Sequence, residues 1–197
     1  MSGRALRRWV VALAFGACLV ASDRPALAHQ PSGFDAQRSV TLDDPLLSYA
    51  LYGEIKDGGD VFEILMSPKT PIALPIEVLV PRRDELAEHR PIFAIVGPGL
   101  PAPTERERAL LPRALPDGMG VLLGSAGPDY RESIFESFTR RVFWTNGVTA
   151  YVLPAGDVRI WIWAPRKTTG KFVIGIGVEE AGIDFGNVLG NWGTYAY

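Results

Sequence analysis

The chain has 197 residues, of which 20 are lysine or arginine and 22 are aspartate or glutamate, and Cys18 is its only cysteine. Without residues 1–28, for which removal is predicted below, 16 basic and 21 acidic residues remain, and no cysteine. The lack of a basic cluster argues against binding to nucleic acid or to an anionic membrane surface, since both need a contiguous basic patch. Because no cysteine remains, residues 29–197 offer no disulfide, no thiol nucleophile and no zinc–thiolate site.

The first 28 residues have the pattern of an export signal. Arg4, Arg7 and Arg8 precede an apolar run over residues 9–21, and Ala26-Leu27-Ala28 places small residues where a signal peptidase cleaves. The run is short for a membrane span, which needs about 20 residues. We predict cleavage after Ala28 and a periplasmic or secreted protein with no membrane span after removal of the signal.

Two other export routes remain open. Phe15-Gly16-Ala17-Cys18 is similar to a lipoprotein signal, in which Cys18 would be lipidated, and Arg7-Arg8 would suit the twin-arginine route. The ordinary secretory route is favoured because adjacent arginines are common in basic leaders. A lipoprotein signal also usually has an aliphatic residue where Phe15 stands.

The composition after the leader is typical of an all-β protein. Prolines and glycines recur at short intervals, and the apolar segments between them are rich in Val, Ile, Phe, Tyr and Trp. We predict a two-sheet, jelly-roll-like β-sandwich over residues 39–181, with short helical turns in its loops. Residues 29–38 are expected to form a flexible arm, and residues 182–197 a tail that docks through its aromatic side chains.

The first half of this domain is expected to contain an edge strand at 39–42 and a hairpin. The hairpin pairs residues 47–55 with 61–66 through a turn containing Gly58 and Gly59, in which glycine supplies the positive φ of a tight reversal. The next strand, 72–80, contains Pro75, which lacks an N–H. We therefore place that strand at a sheet edge or a bulge.

The middle of the domain mixes helical turns with strands. Thr104, followed by Glu107 three residues later, predicts a capped helix over 104–111. Asn146-Gly147 predicts a tight hairpin between its flanking strands. The other expected elements are a helical turn within 84–88, strands at 92–96, 120–124, 138–144 and 148–153, and an irregular loop over 125–137.

The clearest alternation comes at 157–163 and 172–178. Both segments place an apolar residue at every second position, and we expect them to form a hairpin, joined by residues 166–170, with its aliphatic faces inward. On the other face, Trp161 and Trp163 are predicted to lie over Gly175 and Gly177, where they would shield a bare glycine strand. This arrangement would leave two indoles on the outer surface of the sheet.

These two segments also carry a family resemblance. Leu-Pro-Ala-Gly-Asp-Val-Arg-Ile-Trp-Ile-Trp at 153–163, followed by residues 170–177, resembles the closing hairpin of bacterial pre-peptidase C-terminal domains. Residues 49–66 are similar to the opening strands of those domains, whereas 98–116 has no counterpart. The resemblance implies a secreted sandwich with a binding or accessory role, sometimes associated with calcium, and without catalysis of its own.

Nucleophilic catalysis has little support in the sequence. His29 and His89 are the only histidines, and neither accompanies a Gly-x-Ser-x-Gly motif. The pair Gly175-x-Gly177 lies within a predicted strand rather than at the start of a helix, so it does not indicate a phosphate loop. We therefore predict that the protein is not an enzyme.

Calcium is one candidate ligand, because an acidic extracellular protein offers the oxygen ligands that it needs. Asp57 and Asp60 on one turn are a candidate pair, and Asp129, Glu132 and Glu136 on one loop are a second group. The alternative is that the aspartates simply form the turn, as Asp and Gly commonly do, and that the second group is a solvated loop face.

Copper is a second candidate ligand. Cleavage after Ala28 would make His29 the amino terminus, and its amine and imidazole, with His89, would provide three nitrogen ligands. A histidine after a signal cleavage site also arises by chance. A shared site requires that the two histidines lie close together in the fold.

Aromatic side chains suggest a third kind of site. Trp161, Trp163 and Trp192 would provide a platform for a carbohydrate or a protein partner if they are exposed, whereas most aromatic residues in such a protein belong to the core. The predicted function is thus an exported, non-catalytic binding or accessory module. The alternatives are a periplasmic copper-binding protein and an accessory subunit of a secreted or membrane enzyme.

Overall fold

A computed structural model describes residues 30–124, 132–136 and 139–178, and this part of the chain forms two packed β-sheets. The predicted all-β, two-sheet sandwich is confirmed. The elements are β1 (Gln30–Gly33), β2 (Ser39–Thr41), β3 (Tyr49–Ile55), β4 (Phe62–Met66), β5 (Ile72–Pro81), a 3₁₀ turn (Asp84–Leu86), β6 (Ile92–Pro98), α1 (Glu105–Leu110), β7 (Met119–Gly124), β8 (Glu132–Glu136), β9 (Arg141–Thr145), β10 (Thr149–Leu153), β11 (Val158–Trp163) and β12 (Gly170–Ile176).

Sheet A has the strand order β1-β3-β12-β5-β9-β8, and β10 also pairs with β5. Sheet B has the order β2-β4-β11-β6-β7. The main core lies between the two sheets, where alternate side chains of β11 and β12 meet and are at most 1 % exposed. These inward side chains are Val158, Ile160 and Ile162 of β11 and Phe172, Ile174 and Ile176 of β12.

The inward direction of the two best-patterned segments is therefore confirmed. The hairpin predicted between them is wrong, and so is the hairpin predicted between 47–55 and 61–66. β11 pairs with β4 and β6 in sheet B, whereas β12 pairs with β3 and β5 in sheet A. Likewise β3 and β4 lie in different sheets. The reason is physical: alternation fixes which face of a strand is buried, and stacking across the sandwich buries that face as well as pairing within a sheet does.

The hairpin predicted at Asn146-Gly147 is also wrong. β9 and β10 both pair antiparallel with β5, with Thr145 opposite Leu79 and Thr149 opposite Ile76. Residues 146–148 thus face only residues 77 and 78, so the segment is a β-bulge that joins β9 to β10 along one side of β5. Gly147 has the positive φ of 85° that the sequence signal indicated, but it bends a strand instead of reversing it.

Pro75 predicted that β5 lies at a sheet edge or at a bulge. β5 is a central strand between β12 and the pair β9 and β10, so the edge position is wrong, and the bulge found here lies in the facing segment 146–148. β12 pairs with β5 only as far as Ile76, and the carbonyl of Pro75 accepts a hydrogen bond from the Gly177 amide (3.3 Å) just beyond the end of β12. The N–H and C=O of a residue in an antiparallel strand point toward the same neighbour. Pro75, which has no N–H, therefore lies at the end of the hydrogen-bond ladder between β5 and β12, where one missing hydrogen bond destabilises the sheet little.

The predicted edge strand, the 3₁₀ turn and the capped helix are confirmed. β2 lies at one edge of sheet B, and the Thr104 hydroxyl accepts from the Glu107 amide (3.2 Å) at the start of α1. Two segments expected to be irregular contain strands: β1 within the predicted arm at 29–38, and β8 within the predicted loop at 125–137.

The predicted leader, 1–28, and tail, 182–197, lie outside the described residues. In the part that the structure describes, no helix is long and apolar enough to cross a membrane.

Candidate functional site

A cleft of about 390 Å³ opens at the edge of the sandwich where β1 ends beside β3, and we call it the edge cleft. This volume is in the range of small-molecule sites, about 300–1,000 Å³. The edge cleft has an aromatic floor and a charged rim. The floor includes Phe34 and Phe62, and the rim carries Arg38, Glu54, Lys56 and Lys171.

The aromatic floor is rigidly packed. The ring of Phe34 meets that of Phe62 edge-on, with centroids 4.9 Å apart, and Phe62 meets Phe172 edge-on at 5.0 Å. Such edge-to-face pairs are favourable because the positive ring edge faces the negative ring face. Gly53 makes room for this group, since a Cβ on it would lie 2.5 Å from Cζ of Phe172.

The loop between β1 and β2 fixes one wall of the edge cleft. Asp35 Oδ1 accepts hydrogen bonds from the amides of Gln37 (2.9 Å) and Ser39 (2.7 Å), and the Arg38 amide donates to the Asp35 carbonyl (3.0 Å). Arg38 has a φ of 61°, a conformation that is unfavourable for residues other than glycine. Such strain persists only where the surroundings enforce it, and it is common at binding sites.

Asp60 holds Arg38 in place. The side chain of Asp60 is 7 % exposed. Its Oδ1 lies 2.7 Å from Nη2 of Arg38, and Oδ2 accepts from the amides of Lys56 (2.9 Å) and Asp57 (3.0 Å). Burial alone would raise the pKa of Asp60. The two amide hydrogen bonds and the charges of Arg38 and Lys56 outweigh that effect and lower the pKa below its usual value.

The predicted calcium pair Asp57 and Asp60 therefore serves the turn and the wall of the edge cleft. Both oxygens of Asp60 are engaged by protein groups, and Oδ1 of Asp57 accepts from the Gly59 amide (3.1 Å). This is the turn-forming alternative that the sequence left open.

The rim of the edge cleft carries three cations, Arg38, Lys56 and Lys171. Three carboxylates accompany them: Asp60 pairs with Arg38, the loop amides engage Asp35, and Glu54 lies on the rim. Lys171 and Glu54 are opposite each other on β12 and β3. Two lysines, Lys56 and Lys171, on this concave surface would attract an anionic group of a ligand.

A second cleft of about 380 Å³ lies on the outer face of sheet B. Its lining includes Arg159 and two carboxylates, Asp43 and Asp157, and the Ser67 hydroxyl donates to Asp157 (2.7 Å). Its lining has no aromatic side chain and a single cation, so the edge cleft, with an aromatic floor and three cations, is the stronger candidate.

Trp161 and Trp163 do lie on the outer side of their sheet, but the expectation that they are exposed is wrong. They are 1 % and 4 % exposed, because residues 111–119 pack over them through Leu111, Leu115 and Met119. Gly175 lies in β12 of the other sheet and Gly177 directly follows that strand, so the indoles do not cover them. The described structure thus provides no open indole platform, and Trp192 lies outside the described residues.

Glu63 connects this outer layer to sheet B. Its Oε1 accepts from the Trp161 indole N–H (2.8 Å) and from Arg113 (2.6 Å), whose guanidinium lies 4.4 Å from the centre of the indole ring. Arg159 lies 3.5 Å from the same oxygen. One signal in the sequence points to this group, namely a glutamate at an outward position in an otherwise apolar strand.

The second predicted calcium group is not assembled within the described residues. Glu136 accepts from both the amide and the hydroxyl of Thr139, each at 2.6 Å. Glu132 lies four residues away along β8, at a distance of about 13 Å for an extended strand. Asp129 is outside the described residues, and in residues 30–124, 132–136 and 139–178 no group of three His, Cys, Asp or Glu side chains is placed to hold a metal ion.

His89 is distant from the start of β1. It is buried, its Nδ1 lies 3.0 Å from the Thr168 hydroxyl, and it packs beside Gly170, which is opposite Ile55. Gln30 is opposite Tyr49, six residues away along β3, which corresponds to about 20 Å. His29 lies outside the described residues, but its neighbour Gln30 is at the wrong end of the sheet for a copper site shared with His89.

Comparison with known proteins adds no assignment. No protein-family model matches the chain, and no curated protein shows significant sequence similarity to it. The candidate function must therefore be inferred from the edge cleft itself. Sequence reasoning singled out Asp60 but missed Phe34, Arg38 and Lys171, because three separate segments bring these residues together.

Proposed function

We propose that the protein is an exported, non-catalytic binding module that holds an anionic ligand in the edge cleft. The observation that carries this proposal is the position of Lys56 and Lys171 over an aromatic floor, beside a wall that the strained backbone of Arg38 and its pair with buried Asp60 hold in place. A site that is ordered before the ligand arrives pays less entropy on binding. The export leader predicted from the sequence favours a ligand met outside the cytoplasm.

We assign the ligand to the class of short acidic saccharides. A sugar ring would pack against the partly buried ring of Phe34, and a carboxylate on the sugar would pair with Lys56 and Lys171. Mixed aromatic and charged linings of this kind fix the orientation of a small ligand through a few polar contacts. Glu54 would accept hydrogen bonds from sugar hydroxyls.

Calorimetric titration of the exported protein tests this function. The probes are a tetrasaccharide of galacturonic acid and a neutral glucose tetrasaccharide of the same length. We expect binding of the acidic probe only, weakened by added salt because the rim charges are screened. Lys56→Gln and Lys171→Gln should each weaken binding by about fivefold, the loss of about 1 kcal/mol for an exposed ion pair.

Lys69→Gln is the matched control, since Lys69 is exposed and lies beyond the other end of β4. It should leave the affinity unchanged. Equal binding of the neutral saccharide would contradict the ligand class. A failure of both saccharides to bind, or an equal effect of Lys69→Gln, would contradict the assignment of the edge cleft.

A further inference from the structure

Arg90 directs a charged group into the sandwich immediately before β6. Its Nε and Nη1 are buried and have no hydrogen-bond partner among the protein atoms of the described residues. The guanidinium group remains protonated at any ordinary pH, so it does not escape this burial by losing a proton. Buried N–H donors need an acceptor, because they have lost their hydrogen bonds to bulk water.

Asn146 presents the complementary group from the other sheet. It is the first residue of the bulge between β9 and β10, and its Oδ1 is buried without a protein partner in the described structure. Arg90 and Asn146 line the same small cavity, together with Val80 and Trp144. The space in it for the centre of a water-sized molecule is about 10 Å³.

We propose that this cavity binds one long-lived water molecule, which accepts a hydrogen bond from Arg90 and donates one to Asn146. The size is that of a single water site. The polarity of water also fits, because the bound molecule must accept a hydrogen bond from Arg90 and donate one to Oδ1 of Asn146. A halide ion would satisfy Arg90 but would be repelled by the oxygen of Asn146, and an apolar guest would satisfy neither group.

This water would join the two sheets at one end of the sandwich. Arg90 leads into β6 of sheet B, and Asn146 follows β9 of sheet A. Strand alternation places Asn146 on the same face as Trp144, and the bulge lets β9 and β10 continue along the same side of β5. The inference is independent of the edge cleft, which involves neither residue.

Nuclear magnetic resonance of the ¹⁵N-labelled full chain tests the site. The Nε–H of Arg90 should show an Overhauser cross-peak to water and exchange with solvent more than tenfold more slowly than that of Arg83. Arg83 is the internal control, since its side chain is 48 % exposed. Exchange of Arg90 as fast as that of Arg83, or the absence of a water cross-peak, would overturn the proposal.

A variant and a competing ion identify the guest. Asn146→Leu removes the acceptor at similar volume and should abolish the water cross-peak of Arg90, whereas Val152→Ala at an exposed position should preserve it. Persistence of the peak in Asn146→Leu would contradict the bridge. Crystals grown in bromide should show no anomalous density at Arg90, and such density would overturn water as the guest. If Asn146→Leu does not fold, the wild-type exchange measurement decides.

Discussion

Trp161 donates its indole N–H to Glu63 across neighbouring strands of sheet B, at 2.8 Å. This contact, with Arg113 packed over the same indole, fixes residues 111–119 as a third layer outside the sheet. It explains why side chains that strand alternation directs outward are nevertheless buried.

We expect Glu63→Ala to destabilise the protein by about 2–3 kcal/mol, because the variant leaves a buried indole N–H and the Arg113 guanidinium without their shared acceptor. Urea unfolding followed by tryptophan fluorescence measures the change. Glu85→Ala is the control, since its ion pair with Arg83 is exposed and should contribute less than about 1 kcal/mol. Equal destabilisation by the two substitutions would show that Glu63 has no special role.

The Arg38–Asp60 pair predicts a pH-dependent contribution to stability. The folded pKa of Asp60 is below the unfolded value of about 3.9. The contribution is therefore fully present above that value and is lost as the pH falls through the folded pKa. Asp60→Asn should cost about 2 kcal/mol at pH 7, a typical loss for hydrogen bonds to a charged group.

Thermal unfolding of the wild type and Asp60→Asn across the pH range measures this linkage. The stability difference should be constant near neutrality and should shrink below about pH 4, as the wild-type carboxyl is protonated. A difference that stays the same down to pH 2 would contradict the assigned ionisation of Asp60.

Gly53→Ala should destabilise the protein by about 1–3 kcal/mol through overpacking against Phe172. Gly59→Ala is the matched control, because the nearest atom to its added Cβ is 3.8 Å away. In the Gly53→Ala background, Phe172→Leu should restore part of the loss, since a smaller side chain makes room. Additive effects of the two substitutions would argue against direct contact.

Thr104→Ala should raise the pKa of Glu107 toward its usual value. The hydroxyl and the amide of Thr104 both hydrogen-bond the carboxylate, and these bonds lower its pKa. The variant removes the hydroxyl and loosens the first turn of α1. Carboxyl carbon shifts followed by NMR titration report the change, with Thr70→Ala as an exposed control outside the helix. An unchanged pKa in Thr104→Ala would contradict the capping geometry.

Local signals in the sequence predicted much of the fold. The alternation at 158–163 and 172–176 correctly identified the inward faces, and Thr104 with Glu107 correctly identified a helix start. Such features depend on neighbours within a few residues. The assignment of a strand to one sheet or the other is not determined by such local neighbours, because β11 and β12 bury the same faces whether they pair within a sheet or stack across the sandwich.

The candidate site was less predictable for the same reason. The pattern around Asp60 predicted a turn, and the structure has that turn. The edge cleft also requires Phe34 from the loop after β1 and Lys171 from β12, which no local pattern connects. Asn146-Gly147 likewise indicated a positive φ correctly and its consequence wrongly. A glycine conformation bends or reverses a chain according to the strand beside it, here β5.

The most direct test of ligand binding in the edge cleft is NMR shift mapping of the exported protein with the galacturonic acid tetrasaccharide. We predict that the largest changes fall on the amides of Phe34, Arg38, Gly53, Lys56 and Lys171. Their order should follow proximity to the edge cleft, and Lys56→Gln should reduce them at equal ligand concentration. Changes concentrated on sheet B around Arg159, or scattered without relation to the edge cleft, would contradict it.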